Sequence, residues 1–139
     1  MKRKVSIHIE GILEDEKEER ITSSAEGEYI LFDGKHVIRY KEKTDGNEEA
    51  SSNTLIITSQ MVEMSKNGES STQMVFDLSK ETESVYDTPY GYLYFQIKTT
   101  LINIEERPDG LLLHMEYNLS TKGNRISDNC IRMTVKEII

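Results

Sequence analysis

No tryptophan, one cysteine, two prolines and three histidines occur among the 139 residues. The lone Cys130 excludes an internal disulfide framework and suits a reducing cytosol, so a cytoplasmic location is expected. Basic residues are in deficit, 17 Lys and Arg against 25 Asp and Glu, which leaves a formal charge of −8. A field of that sign repels phosphate backbones and anionic lipid head groups, so neither nucleic acid nor a membrane is an expected partner. No run approaches the roughly 20 apolar residues that a membrane-crossing helix needs. Met1-Lys2-Arg3-Lys4 imitates the basic start of a signal peptide, but Val5, Ser6, Ile7, His8, Ile9 and Glu10 alternate where such a leader would be continuously apolar.

Catalytic motifs are missing as well. There is no G-x-S-x-G elbow to expose a serine nucleophile and no G-x-x-x-x-G-K-S/T loop to cradle phosphate. His8, His36 and His114 fall on three different strands and Cys130 on a fourth, so no zinc ligand set is expected. Cys130 itself reads as a small strand residue, because a nucleophile would need an adjacent base and a lowered pKa. Glu10, Glu14, Asp15, Glu16, Glu18 and Glu19 form an acidic run that reads as a solvated hairpin loop; it lacks the D-x-D-x-D-G spacing of a calcium loop. The expectation is a protein with no catalytic residue, no cofactor and no metal.

What the chain does have is alternation. From Gly91, Leu93, Phe95, Ile97 and Leu101 share one face and Tyr90, Tyr92, Tyr94, Gln96, Lys98 and Thr100 the other, the two-residue period of a long strand with one dry face. Strands are expected over 4–13, with Val5, Ile7, Ile9 and Leu13 inward, then over 20–32 and 35–43, joined by an Asp33-Gly34 hairpin turn. The small residues Ser23, Ala25 and Gly27 on one face of the second strand suggest a bend or a close approach. A polar loop is expected over 44–53, strands over 54–58, 61–66 and 72–79, and a hairpin turn at Asn67-Gly68. Pro108-Asp109-Gly110 leads into a strand over 111–120, and Gly123-Asn124 into a last strand over 125–137 with Ile131, Met133 and Val135 inward. Only 12–21 is charged enough for a short helical turn.

This pattern gives an all-β fold. About eight to ten sequential strands joined mostly by tight turns suggest up-and-down connectivity, and closure into one antiparallel barrel over 1–139 protects every edge. Inside such a barrel polar side chains need partners, and a few convergent polar groups in an apolar cavity are what a small ligand requires. Tyr40 and Glu42, Tyr86 and Thr88, Tyr90, Thr99 and Tyr117 are the candidates, with Leu93, Phe95 and Ile97 as apolar wall. The function expected is therefore non-enzymatic binding of a small, partly apolar molecule in the barrel. An alternative uses the Tyr90, Tyr92 and Tyr94 stripe as a contact surface for a partner or a second copy, since exposed tyrosines are favoured at interfaces.

Several of these residues carry a family likeness. Tyr40-Lys41-Glu42, Tyr86-Asp87-Thr88-Pro89-Tyr90-Gly91 with Thr99 following, Tyr117-Asn118-Leu119, and Asn129 opening the last strand resemble the YwiB-like family over nearly the whole chain. That family comprises small bacterial proteins of unknown function. The resemblance implies a calycin-like, that is lipocalin-like, β-barrel and brings no assigned activity or catalytic residues.

Overall fold

The structure, a computed structural model, describes residues 2–14, 18–42, 51–68 and 71–138, without the side chains of Glu18 and Thr88. Ten strands follow one another: β1 (Lys2–Glu14), β2 (Glu18–Phe32), β3 (Lys35–Glu42), β4 (Ser51–Ile57), β5 (Met61–Asn67), β6 (Ser71–Asp77), β7 (Thr82–Thr88), β8 (Gly91–Arg107), β9 (Gly110–Thr121) and β10 (Asn124–Glu137). Each pairs antiparallel with its neighbours in sequence, and β1 pairs with β10, so the sheet is a closed up-and-down barrel. The expected all-β barrel is what the chain forms.

Turn chemistry sets the hairpins. Asp33 and Gly34 have φ of 52° and 75°, the left-handed pair of a type I′ turn, and Lys122 and Gly123 repeat it at 51° and 80°. The last hairpin is therefore centred on Lys122-Gly123, one residue earlier than the Gly123-Asn124 expected from the sequence. The helical turn expected over 12–21 is replaced by strand at 12–14 and 18–21, where Glu14 pairs with Glu18 and Leu13 with Glu19. Much of the acidic run thus belongs to a hairpin's strands; residues 15–17 lie outside the described ones. The polar loop expected over 44–53 ends early as well, because Ser51, Ser52 and Asn53 pair with Glu42, Lys41 and Tyr40. Residues 44–50 of that loop lie outside the described residues, as do 69 and 70 beyond the Asn67-Gly68 turn.

Two bulges change the side-chain phase. Between Thr99 and Leu101 the register of β8 against β9 slips by a residue, and β10 slips likewise between Arg125 and Ser127. Before the first slip Ile97 and Thr99 are buried; after it Ile102 and Ile104 pack on the core. Leu101 consequently loses the inward position that strict alternation gave it. Leu93, also expected inward, is 53% exposed, because pairing of β8 with β9 starts only at Gln96 and Leu93 stands on the rim.

The apolar filling lines the inside of the barrel. Phe76, Ile38, Ile57, Val62, Ile97 and Met115 are fully buried there, each stabilising the fold by roughly 1.5–3 kcal/mol relative to exposure. Towards the end that carries the Asp33-Gly34 turn, polar groups close the stack. Tyr29 Oη lies 2.5 Å from His36 Nδ1, and His36 Nε2 lies 2.9 Å from Glu106 Oε1. At the seam between β6 and β7 only three residue pairs are in register. Hydroxyl groups extend it: buried Ser84 donates from Oγ to the Gln73 carbonyl at 2.9 Å, and Thr82 Oγ1 donates to the Val75 carbonyl.

Candidate ligand-binding cavity

A row of register partners crosses eight strands: Val5, Gly27, Tyr40, Asn53, Lys66, Thr72, Tyr86 and Leu93. Since residues paired across a sheet share a face, one inward residue carries the rest of the row inward with it. Tyr40, Asn53, Lys66, Thr72 and Tyr86 of this row line a cavity of about 450 Å³, together with Glu42 and the apolar Ile9, Leu55, Met64 and Met74. The wall is mainly apolar, with phenol, amide, hydroxyl, carboxylate and ammonium groups set into it.

Tyr40, Tyr86 and Asn53 are fixed by burial or by side-chain contacts. Tyr40 is 7% exposed, and burial, with Glu42 nearby, pushes its phenol up to about 12. Burial also raises Tyr86, whose ring meets Phe95 edge-on at 5.4 Å and whose hydroxyl points to Met74 Sδ at 3.9 Å. Asn53 donates from Nδ2 to Ser51 Oγ at 3.4 Å, and Ser51 Oγ donates to the Glu42 carbonyl at 3.1 Å, which ties the mouth ends of β3 and β4 together. Both tyrosines are neutral hydrogen-bonding groups at physiological pH, suited to orienting a polar atom in an apolar surround.

A second row holds Leu13, Asn129, Tyr117 and Thr99. Tyr117 packs its ring edge on Phe76 at 4.7 Å, and burial, with Tyr86 and Cys130 nearby, drives its phenol well above the ordinary value. Thr99 Oγ1, Ser127 Oγ and both amide atoms of Asn129 are buried without a hydrogen-bond partner among the described residues. Such groups cost about 1–3 kcal/mol each unless something satisfies them.

Of the residues singled out from the sequence, Tyr40, Glu42 and Tyr86 come together around the cavity, while Thr99 and Tyr117 sit inside the barrel on the second row. Thr88 pairs with Gly91 at the end of β7, and its side chain lies outside the described ones. Tyr90 is fully exposed at the β7–β8 turn and does not reach the cavity, because the turn carries it past the rim. Ile97 is buried core and Phe95 backs Tyr86, so the apolar wall comes from other strands. Sequence reasoning missed Asn53, Lys66 and Thr72, polar residues that lie in phase with Leu55, Met64 and Met74. That shared phase was the available signal.

On the outer face the structure joins what the sequence left apart. Cys130 Sγ lies 3.2 Å from His114 Nε2, and Glu116 stands beside both.

The crystal structure of ywiB protein from Bacillus subtilis is similar to this chain, with a TM-score of 0.87 over 99% of this chain and 94% of that one at 16% identity. At that identity the likeness shows the barrel fold alone. No curated protein matches the chain in sequence. The family model described as a domain of unknown function, DUF1934, matches residues 7–133. With nearly every strand inside that match, the chain belongs to the DUF1934 family.

Proposed function

We propose that the barrel is a non-enzymatic binding protein for one small, partly apolar molecule, held in the lumen with its polar atoms on Tyr40 and Tyr86. The cavity of about 450 Å³ carries this reading. It falls within the size range of small-molecule sites, roughly 300–1,000 Å³, and has the usual mix of apolar wall and a few placed polar groups. Glu42 and Lys66 bring both signs of charge to the same lining, which suits a ligand with donor and acceptor ends. Native mass spectrometry of protein purified from its own host tests the reading. The expected result is a bound mass that disappears in a Thr72→Trp variant, whose indole fills the cavity. A bare chain, together with no thermal shift across a broad panel of metabolites, overturns it.

A second reading rests on the β7–β8 hairpin, where Tyr90, Tyr92, Leu93 and Tyr94 are 100%, 63%, 53% and 51% exposed. An aromatic tip of this kind fits a protein contact, with a second copy of the chain as the simplest partner. Light scattering decides it: a dimer that dissociates when the three tyrosines become serine supports the contact, and a monomer at high concentration removes it.

A further inference from the structure

We propose that His114, Glu116 and Cys130 form a binding site for a single zinc(II) ion on the outer face of the barrel, separate from the lumen. Glu116 on β9 and Cys130 on β10 are direct register partners, and His114 lies two residues from Glu116, hence on the same face of the sheet. One ligand atom from each of the three side chains lies within 4.8 Å of the others. In a tetrahedral site with Zn–S of about 2.3 Å and Zn–N of about 2.0–2.1 Å, sulfur and nitrogen stand about 3.6 Å apart. The observed 3.2 Å between Cys130 Sγ and His114 Nε2 is a few tenths of an ångström short of that. Rotamer adjustment of half-buried side chains on a rigid sheet covers the difference.

The donor set selects the metal. Thiolate, imidazole and carboxylate together suit zinc, whereas calcium and magnesium take oxygen ligands. Burial, Glu116 and Glu10 hold the free thiol up while Arg132 pulls it down, with a net rise. Cys130 by itself is thus a poor nucleophile at neutral pH, and the ion would displace its proton on binding. Glu10 is engaged by Arg20 at 3.5 Å, which leaves Glu116 as the carboxylate of the set. Three protein ligands leave one tetrahedral position, and Cys130 and Glu116 border a cavity of about 420 Å³ from which water or a small anion can enter, with Arg132 on its wall.

The full chain, reduced and metal-free, is titrated with zinc against a chromophoric chelator and then with cobalt(II). The expected result is one ion per chain and a thiolate-to-cobalt charge-transfer band. Cys130→Ser abolishes the band, His114→Gln and Glu116→Gln each weaken zinc binding by about tenfold or more, and Glu63→Gln on β5 changes nothing. Zinc also raises the thermal midpoint of the unaltered chain and of Glu63→Gln only, while circular dichroism confirms that every variant is folded. Absence of stoichiometric binding overturns the site. So does binding that needs Cys130 but is undiminished in both His114→Gln and Glu116→Gln, the signature of a lone thiol.

Discussion

Gly27 and Tyr40 face each other across β2 and β3 with no room for a methyl group between them. A Cβ at position 27 would lie 2.8 Å from Tyr40 Cβ and 3.0 Å from Ile7 Cδ1, and closer still to the Arg39 carbonyl oxygen. The missing side chain is what lets β2 and β3 approach this closely at Tyr40. Gly27→Ala is expected to lower stability by about 1–3 kcal/mol through overpacking of backbone that cannot move away. Urea unfolding checks this, and a variant as stable as the parent would show that the two strands can separate at little cost.

Alkaline pH acts on the same tyrosine. An unfolded tyrosine ionises near 10.0, whereas Tyr40 in the barrel keeps its proton to about 12. Between those values the folded chain binds a proton that the unfolded chain has lost, so stability is complete below pH 10 and falls as pH rises towards 12. The expected slope is about 1.4 kcal/mol per pH unit for this group, with Tyr86 and Tyr117 adding in the same direction. Chemical denaturation at a series of alkaline pH values measures the slope, and Tyr40→Phe should flatten it.

Ligand binding should respond to single atoms in the lumen. Tyr86→Phe removes one hydroxyl and Glu42→Gln one charge, and neither is needed for the ladder hydrogen bonds. Each is expected to reduce affinity for the molecule proposed to occupy the lumen by about tenfold while the thermal midpoint stays nearly unchanged. Calorimetry with the extracted ligand gives the comparison. Unchanged affinity in both variants would move the site elsewhere.

The β6–β7 seam offers a test of the fold alone. Because Ser84 is fully buried and its hydroxyl is bonded to the Gln73 carbonyl, Ser84→Ala removes one of the hydrogen bonds that hold the seam together. A loss of about 1–3 kcal/mol is expected, with faster amide exchange confined to β6 and β7. Exchange that rises uniformly around the barrel would mean that the seam is no weaker than the rest.

The barrel was legible in the sequence because its evidence is local. Alternation in β1 and β8 and the Asp33-Gly34 turn are each read within a few residues, and sequential pairing needs no long-range guess. The bulge at Thr99 was not legible, since nothing in Thr99-Thr100-Leu101 announces an extra residue and only the fit against β9 reveals it. The cavity was half legible. Tyr40 and Tyr86 stood out as bulky polar residues on apolar strands, but Asn53, Lys66 and Thr72 look like ordinary loop or surface residues until the register row places them inside. His114 and Cys130 are 16 residues apart in the chain, and their contact depends on how two strands pair, which no local pattern states.

Closure of β1 against β10 ties the timing of folding to the whole chain. Ser6 donates to the carbonyl of Lys136, a contact spanning 130 residues, and in the closed barrel β10 is the strand that covers the free edge of β1. During synthesis the edge of β1 therefore stays open until the last strand emerges. For that interval the nascent sheet exposes a ladder of unpaired backbone groups beside its apolar face, the state most open to pairing with another chain. Among the described strands the ones nearest that open edge, β1 and β2, also carry Glu10, Glu14, Glu18 and Glu19. With Lys2, Arg3 and Lys4 at the other end of β1, the edge that waits longest for its partner is charged along its length, and charge on an edge strand disfavours pairing with another chain.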